Sequence, residues 1–421
     1  MRRKYTGATA GAQFFRCARA VSALMLRYPT TAFIVAMHPL RPFLIILSVV
    51  ALAAPAFAKT WHITVDGTGD APSIQSAVLA SSNGDTILVA PGHYTWSNQN
   101  TEPTDVYAMI QFDQGRERIA LLSEAGPYQT IIDAELQGRV MATKGLNYVT
   151  VDGFTLTGGR SHPLDLPIGG CMTLHISHDT FRNCIFTQNF SSSGAVAWVG
   201  GLAQPTFENC EFYENYGYNG TLFLVNTSTP ITIRNCSFHH NVCDGGGGAI
   251  YMVHVRAVVE DCVFAFNRAP QGGAIYMTDM WEATVSRCTF VRNEGTETSG
   301  FHVLKSPGIR IENSIVSYAG EGTPYFFSAN SAVTVACTNT YYNPVSNDLP
   351  ANAIDGGGNF TANPLYCGSV DSMDYRLGAT SPCLPGNHPD GTPCGQIGAF
   401  GVCPSTPVHT RTLGGIKALY R

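Results

Sequence analysis

The stretch Val259–Met277, VEDCVFAFNRAPQGGAIYM, decides how the chain is read. Cys262 and Phe264 stand two apart, so on an extended strand they share one face. Twenty-six residues on, VSRCTFVRN repeats the opening frame at Val285–Asn293. The same frame occurs earlier as FRNCIFTQN at 181, FENCEFYEN at 207 and IRNCSFHHN at 233, and later as the decayed IENSIVSYA at 311. Cys184, Cys210, Cys236, Cys262, Cys288 and Ser314 are therefore each 26 residues apart. Phe186, Phe212, Phe238, Phe264 and Phe290 keep the frame, as do Asn189, Asn215, Asn241, Asn267 and Asn293.

A fixed period of this length marks a solenoid, in which each repeat buries its apolar face only against its neighbours. The interior of the repeat selects the kind. After each Asn comes a glycine turn and a short apolar strand: GAVAWV, GTLFLV, GGAIYM twice, and GFHVL. No copy carries a helical period. Ile233 is out of phase with Cys236 unless the chain bends at Arg234-Asn235, and the terminal Asn suits a left-handed backbone position. Short strands joined by corners predict an all-β, parallel β-helix of roughly ten coils, with like residues stacked about 4.8 Å apart along its axis. Residues 59–345 form this unit, 346–403 a Cys-, Gly- and Pro-rich C-terminal cap, and 404–421 a linker and short tail. Ile74 to Leu79 reads as a short capping helix over the first coil, ahead of a buried strand from Thr86 to Ala90.

Residues 1–58 read as a signal region. From Met37, the expected true start, Arg41 precedes an apolar run from Phe43 to Ala54 and an A-x-A site, with cleavage expected after Ala58. The run is short for a permanent membrane span, and no transmembrane segment is expected once it is removed. The expected location is secreted or on the cell surface, with the periplasm as the alternative. Charged residues make up 13% of the chain and the net charge is −5, which leaves no basic footprint for nucleic acid.

Export would allow thiols to pair, yet the thirteen cysteines fall into separate groups. Zinc needs four converging ligands, whereas stacked coils give a straight row of thiols. Cβ atoms one rung apart also lie beyond the usual disulfide reach. The ladder cysteines are therefore read as core. Cys367, Cys383, Cys394 and Cys403 are read as two disulfides tying the cap, with neighbour pairing, 367 to 383 and 394 to 403, as the first choice among three connectivities. Cys171, Cys243 and Cys337 stay unassigned, with pairing of one of them left open.

The residues resemble the pectin-lyase-like superfamily of right-handed parallel β-helices. The opening VDGTGDAPSIQSAV…GDTILVAPGHYTW is similar to that of pectinesterases and many bacterial β-helix proteins. The FxxN elements Phe238–Asn241, Phe264–Asn267 and Phe290–Asn293, with Gly248-Ala249-Ile250 and Gly273-Ala274-Ile275, resemble the repeats of chlamydial polymorphic outer-membrane proteins. The closing NPLYCGSVDSMDYRLGATSPCLPG…CGQIGAFGVC resembles the ends of secreted bacterial β-helix proteins. The resemblance spans about residues 61–403 and implies fold far more than activity. The catalytic Gln-Asp pairs of pectinesterases, the aspartate cluster and arginine of pectate lyases, and the Gly-His-Gly of polygalacturonases have no counterpart here.

The expected function is a non-catalytic binding, adhesion or structural role toward a glycan or surface protein. A lyase, esterase or glycoside hydrolase is the alternative, and a periplasmic metal-handling protein a weaker one. No catalytic residue, cofactor or metal ligand is assigned, and the oligomeric state is left open. Tyr213, Tyr216, Tyr218, Tyr276 and Trp281 are the expected ligand face, with Phe266 beside them. A charged group of Asp279, Glu282, Glu260, Arg256, Arg268 and Lys305 is read as a solvated outer face. His239 and His240 are set aside as a metal or base site, because adjacent strand residues face opposite sides.

Overall fold

The computed structural model describes residues 58–99, 107–113, 115, 117–162 and 168–404. The signal region and the tail beyond Pro404 lie outside these residues. Among the described residues no helix is long and apolar enough to cross a membrane.

Each full coil passes through short strands on successive sides. The coil beginning at Ala197 runs 197–200, 206–208, 211–213 and 216–219 before the next coil starts at Leu222. These are the first, second, third and fourth runs. All strand pairings between coils are parallel. First and second runs merge into a 19-stranded sheet, because Leu222–Arg234 and Ile250–Glu260 pass through both. Third runs make a ten-stranded sheet, and fourth runs a three-stranded one. The fold is thus a right-handed parallel β-helix of about ten coils.

The 26-residue frame becomes three internal ladders. Phe186, Phe212, Phe238, Phe264 and Phe290 pair in register on the third run, with neighbouring ring centroids 4.8, 4.4, 5.1 and 4.6 Å apart. All five are almost wholly buried, and burying each ring contributes about 1.5–3 kcal/mol. The ladder thiols are buried too. Each donates to the carbonyl two residues before it: Cys184 to Arg182 at 3.1 Å, Cys236 to Arg234 at 3.2 Å, Cys262 to Glu260 at 3.1 Å. Ser314 makes the same bond to Glu312 at 2.9 Å, and Thr338 to Ala336 at 3.0 Å. The position asks for a small inward side chain with a donor, which explains why serine substitutes for cysteine there. Burial holds Cys184, Cys210 and Cys262 well above the usual thiol range, so they stay protonated and inert.

The asparagine ladder corrects one expectation. Asn189, Asn215, Asn241, Asn267 and Asn293 are not among the residues with positive φ. The left-handed positions are the residues one earlier, Gln188, Glu214, His240, Phe266 and Arg292, together with the residue before each ladder thiol, from Asn183 to Asn313. The asparagines instead form a buried amide chain: Nδ2 of Asn189, Asn215, Asn241 and Asn267 each donates to Oδ1 of the next at 2.9–3.1 Å. The same Oδ1 atoms accept the backbone N–H of the preceding rung, and Nδ2 of Asn267 also reaches Phe238 O at 2.8 Å. Left-handed glycines close the successive coils at Gly169, Gly194, Gly220, Gly247 and Gly272; a Cβ on Gly272, at φ 63°, would stand 2.3 Å from Ile275 O.

The helix Ile74–Ala80 lies at the N-terminal end, with Ser73 Oγ accepting from Ser76 N at 3.1 Å. Its Ile74, Ala77 and Val78 join the main core. At the other end, residues beyond 360 do more than close a coil. They turn back over the outer surface of the third-run sheet, where Tyr375 packs with Val263, Ala265 and Val291, and Leu377, Cys383 and Ile397 pack with Ile315. Ala399 N donates to Thr289 Oγ1 at 2.9 Å and Gly398 N to Asn313 O at 2.8 Å.

This returning segment also sets the disulfides, and neighbour pairing is overturned. Cys337 bonds Cys394, and Cys367 bonds Cys403, with Cα atoms 5.4 and 6.5 Å apart. Cys367 N donates to Arg376 O and Cys403 N to Leu377 O, so residues 36 apart flank the Arg376-Leu377 segment. Cys383 stays free. It is buried beside Asn339 Nδ2, and burial pushes its thiol up to about 11.

These contacts carry three tests. Asn267→Ala strips an acceptor from two buried N–H groups, and a urea titration should show a loss of roughly 3 kcal/mol. Non-reducing peptide mapping should recover the 337–394 and 367–403 bridges, with Cys383 alkylated only after unfolding. Asp179 supplies the third. It is fully buried, and burial raises its carboxyl from 3.8 to about 6 despite the Val149 amide 3.0 Å away. A raised carboxyl favours the native state only while protonated, so its contribution falls as pH rises from about 4 to about 6. Asp179→Asn should remove that slope and stabilise the protein by about 3 kcal/mol at pH 7.5, measured as the parent-minus-variant difference across pH.

Candidate functional site

The expected aromatic face does not exist as one surface. Tyr213 lies on the third run and stacks on His239 with centroids 5.1 Å apart. Phe266, half-buried at the next corner of that sheet, stacks on His240. Tyr216, on the fourth run, stacks on Phe190 and its hydroxyl donates to Asp244. Tyr218 is 57% exposed and lies against Gly245 at the end of the strand Val242–Gly246, where a Cβ on Gly246 would meet the rings of Tyr276 and Tyr251. Tyr276 is only 8% exposed, which corrects its reading as an open ring. Trp281, 45% exposed, belongs to a separate cleft beside Pro307, Arg310 and Ile354.

Tyr276 is one rung of a column that the spacing did not reveal. Trp198, Phe223, Tyr251, Tyr276, His302 and Phe326 are in register on the outer side of the first run. From Phe223 onward the neighbouring centroids lie 4.4–5.2 Å apart, three of the four contacts face to face. Rings stacked this way spend their faces on each other and offer a ligand mainly their edges. The second run is equally self-satisfied. Asp152, Arg182, Glu208, Arg234 and Glu260 alternate in sign in register, with Arg234 3.2 Å from Glu208. Within the charged group read from the sequence, Glu260 pairs with Arg287 at 2.9 Å and Arg256 is registered opposite Glu282.

The third-run sheet has an open window. The returning C-terminal segment covers its outer surface from Val263 onward, and Pro127-Tyr128 stands at the other side, with Thr155 Oγ1 donating to Pro127 O at 2.7 Å. Between them lies a cleft of about 100 Å³. Its floor is Ile185, Glu211, Ser237 and Val263, successive outward residues of four coils. Along one side run the corner residues Asn183, Asn209, Asn235 and Asp261, all at positive φ, and the ends are Tyr128 and Phe400. Tyr128 is 54% exposed; partial burial of its ring and the nearby Glu211 carboxylate raise its phenol above the ordinary value.

Glu211 is the acidic group on that floor. Its Oε1 lies 3.0 Å from Nε2 of His239, which the strand buries one coil further on. Nδ1 of His239 lies 3.1 Å from Nδ1 of His240. This overturns the reasoning that set the two histidines on opposite sides. Strand alternation stops at His240, whose φ of 54° bends the chain and swings its ring back beside its neighbour. Burial, together with the adjacent His239, lowers His240 from the usual imidazole value. Asp261 is held by Arg287 Nε at 2.7 Å, so the cleft's second carboxylate is already paired. Among the described residues no lysine or arginine lines the cleft. Among the described residues no three His, Cys, Asp or Glu groups form a ready metal cage.

No curated protein matches the chain. Among solved structures, the chain is similar to the pectate lyase Pel9A at a TM-score of 0.58 and 15% identity, covering 82% of this chain and 96% of that one. It is more distantly similar to a pectin methylesterase from carrot, at 0.38 and 12% over 80% and 93% of the two chains. The catalytic unit of a GH87 α-1,3-glucanase from Streptomyces thermodiastaticus strain HF3-3 matches at 0.35 and 13% over 73% and 69%. At these identities the likeness is one of fold. The family described as the right handed beta helix region matches residues 129–254 and 220–354, more than half of the chain and the span of the ladders. The chain belongs to the right-handed β-helix family.

Proposed function

We propose that the protein binds a neutral glycan in the window between Tyr128 and Phe400, the polymer lying along the solenoid axis. The observation that carries this reading is the make-up of the cleft. Exposed Tyr128 offers a ring to the apolar face of a sugar, and the corner residues Asn183, Asn209 and Asn235 line one side at successive coils. Asn183 Nδ2 already donates to Asp152 and Asn209 Oδ1 is buried, which leaves the Asn209 Nδ2 and the Asn235 amide for hydroxyl groups. The C-terminal segment supports it as well, since an extended chain already occupies the same strip on the later coils.

Neutrality follows from charge. A uronate polymer entering this cleft meets the Glu211 carboxylate and, among the described lining residues, no cation, and the nearby Arg287 is spent on Glu260 and Asp261. Like charges in a partly enclosed cleft repel strongly. Cleavage is a second reading, favoured by one contact: His239 beside Glu211 makes a carboxylate–imidazole pair suited to proton transfer. The disulfides of the C-terminal segment support an oxidising location, secreted or cell-surface.

Calorimetry with neutral hexose and pentose oligosaccharides, and with oligogalacturonate, tests the reading. Neutral chains should bind, oligogalacturonate should not, and Tyr128→Ala should weaken Kd about tenfold, the loss of roughly 1.4 kcal/mol from one aromatic platform. Binding confined to uronates, or unaffected by Tyr128→Ala, overturns it. New reducing ends that vanish in Glu211→Gln would establish the cleaving reading.

A further inference from the structure

We propose that His239 and His240 form an open binding site for a divalent transition-metal ion of the zinc or copper class, with Glu211 as the group that orients it. Three features converge on this. Two nitrogens bound to one tetrahedral ion at about 2.0–2.1 Å stand about 3.3 Å apart. Nδ1 of His239 and Nδ1 of His240 are 3.1 Å apart before any ion is present. The bend at His240 creates that approach, and it is built into the coil rather than into a loose loop.

The second feature is the tautomer. An ionised carboxylate can only accept, so Glu211 Oε1 at 3.0 Å places the proton of His239 on Nε2. Nδ1 of His239 is then a bare lone pair facing His240. A carboxylate behind an imidazole is the arrangement that raises ligand basicity and locks ring orientation at metal centres. Ring stacking completes the preorganisation: His239 lies against Tyr213 at 5.1 Å and His240 against Phe266 at 4.9 Å.

The third feature is access. His239 is buried, but His240 is exposed, so an ion reaches the pair from solvent. Glu214 holds the equivalent corner position one coil before His240, and its charge acts on that ring. The two imidazole nitrogens are thus the protein's ligands, and water fills the remaining positions. The site does not depend on the glycan reading, although Glu211 belongs to both and would couple them.

The experiment titrates Zn²⁺ into untagged, chelator-treated protein at pH 7.5 without saccharide, by calorimetry and by nitrogen NMR of the imidazoles. One ion should bind and shift both Nδ1 resonances. His240→Ala, at an exposed position, should abolish that binding with circular dichroism unchanged. Glu211→Gln should weaken it by about 10–100-fold, while His62→Ala, an exposed histidine elsewhere, should leave it intact. Zinc that shifts no Nδ1 resonance, or binds His240→Ala as tightly as the parent, overturns the site and shows the two rings to be joined by an ordinary hydrogen bond.

Discussion

The amide chain from Asn189 to Asn293 is the constraint on which the solenoid rests. A corner in a parallel β-helix takes backbone N–H and C=O groups out of the strand ladder and buries them, where an unpaired group costs about 1–3 kcal/mol. Each asparagine repairs the corner of the coil before it, donating to a carbonyl there (Leu156 for Asn189, a phenylalanine for the others) and accepting an N–H from the same corner. The repair works only if the next rung carries the same side chain in the same place. That requirement holds the asparagine, phenylalanine and thiol columns in one 26-residue frame, while the first runs pair at spacings that vary from coil to coil.

Features that such a requirement imposes are legible in the sequence. Fold class, coil period, the inward faces of Cys262 and Phe264, and the bend before each thiol all come from residues repeated at one spacing. Spacing places the other left-handed position one residue late, because asparagine suits both a left-handed φ and a buried amide ladder, and composition does not separate them. Ser314 looks like a lost sulfur in the sequence, whereas its hydrogen bond to the carbonyl two residues back shows that the donor is kept. The outward aromatic column is invisible to the repeat, since its members, from Trp198 to Phe326, sit at first-run positions whose residue types vary from coil to coil.

The window on the third-run sheet is beyond the reach of spacing for a different reason. Tyr128, Glu211 and Phe400 come from three distant parts of the chain, and only the return of the C-terminal segment brings Phe400 beside the coils near Val263. The same return carries Cys394 to Cys337 and Cys403 to Cys367, so one non-local event hides both the disulfide pairing and the cleft. Covering the later coils also concentrates what is left open: of the outward third-run residues, those around Glu211 and Ser237 face the cleft instead of protein.

The histidine pair shows where repetition and chemistry meet. Corner positions one before each ladder asparagine carry Gln188, Glu214, His240, Phe266 and Arg292, so the architecture demands the left-handed bend and leaves the side chain unspecified. The bend has a geometric consequence that strand alternation hides, because it returns the corner side chain toward the outward residue just before it. In most coils that pairing is inert, as with Ala265 and Phe266. In one coil it sets two imidazoles nitrogen to nitrogen, with a carboxylate from the coil before holding the inner ring. Variable residues on a fixed bend are therefore the places where a regular solenoid acquires a site, and the cleft's Asn183, Asn209, Asn235 and Asp261 occupy the other such bend.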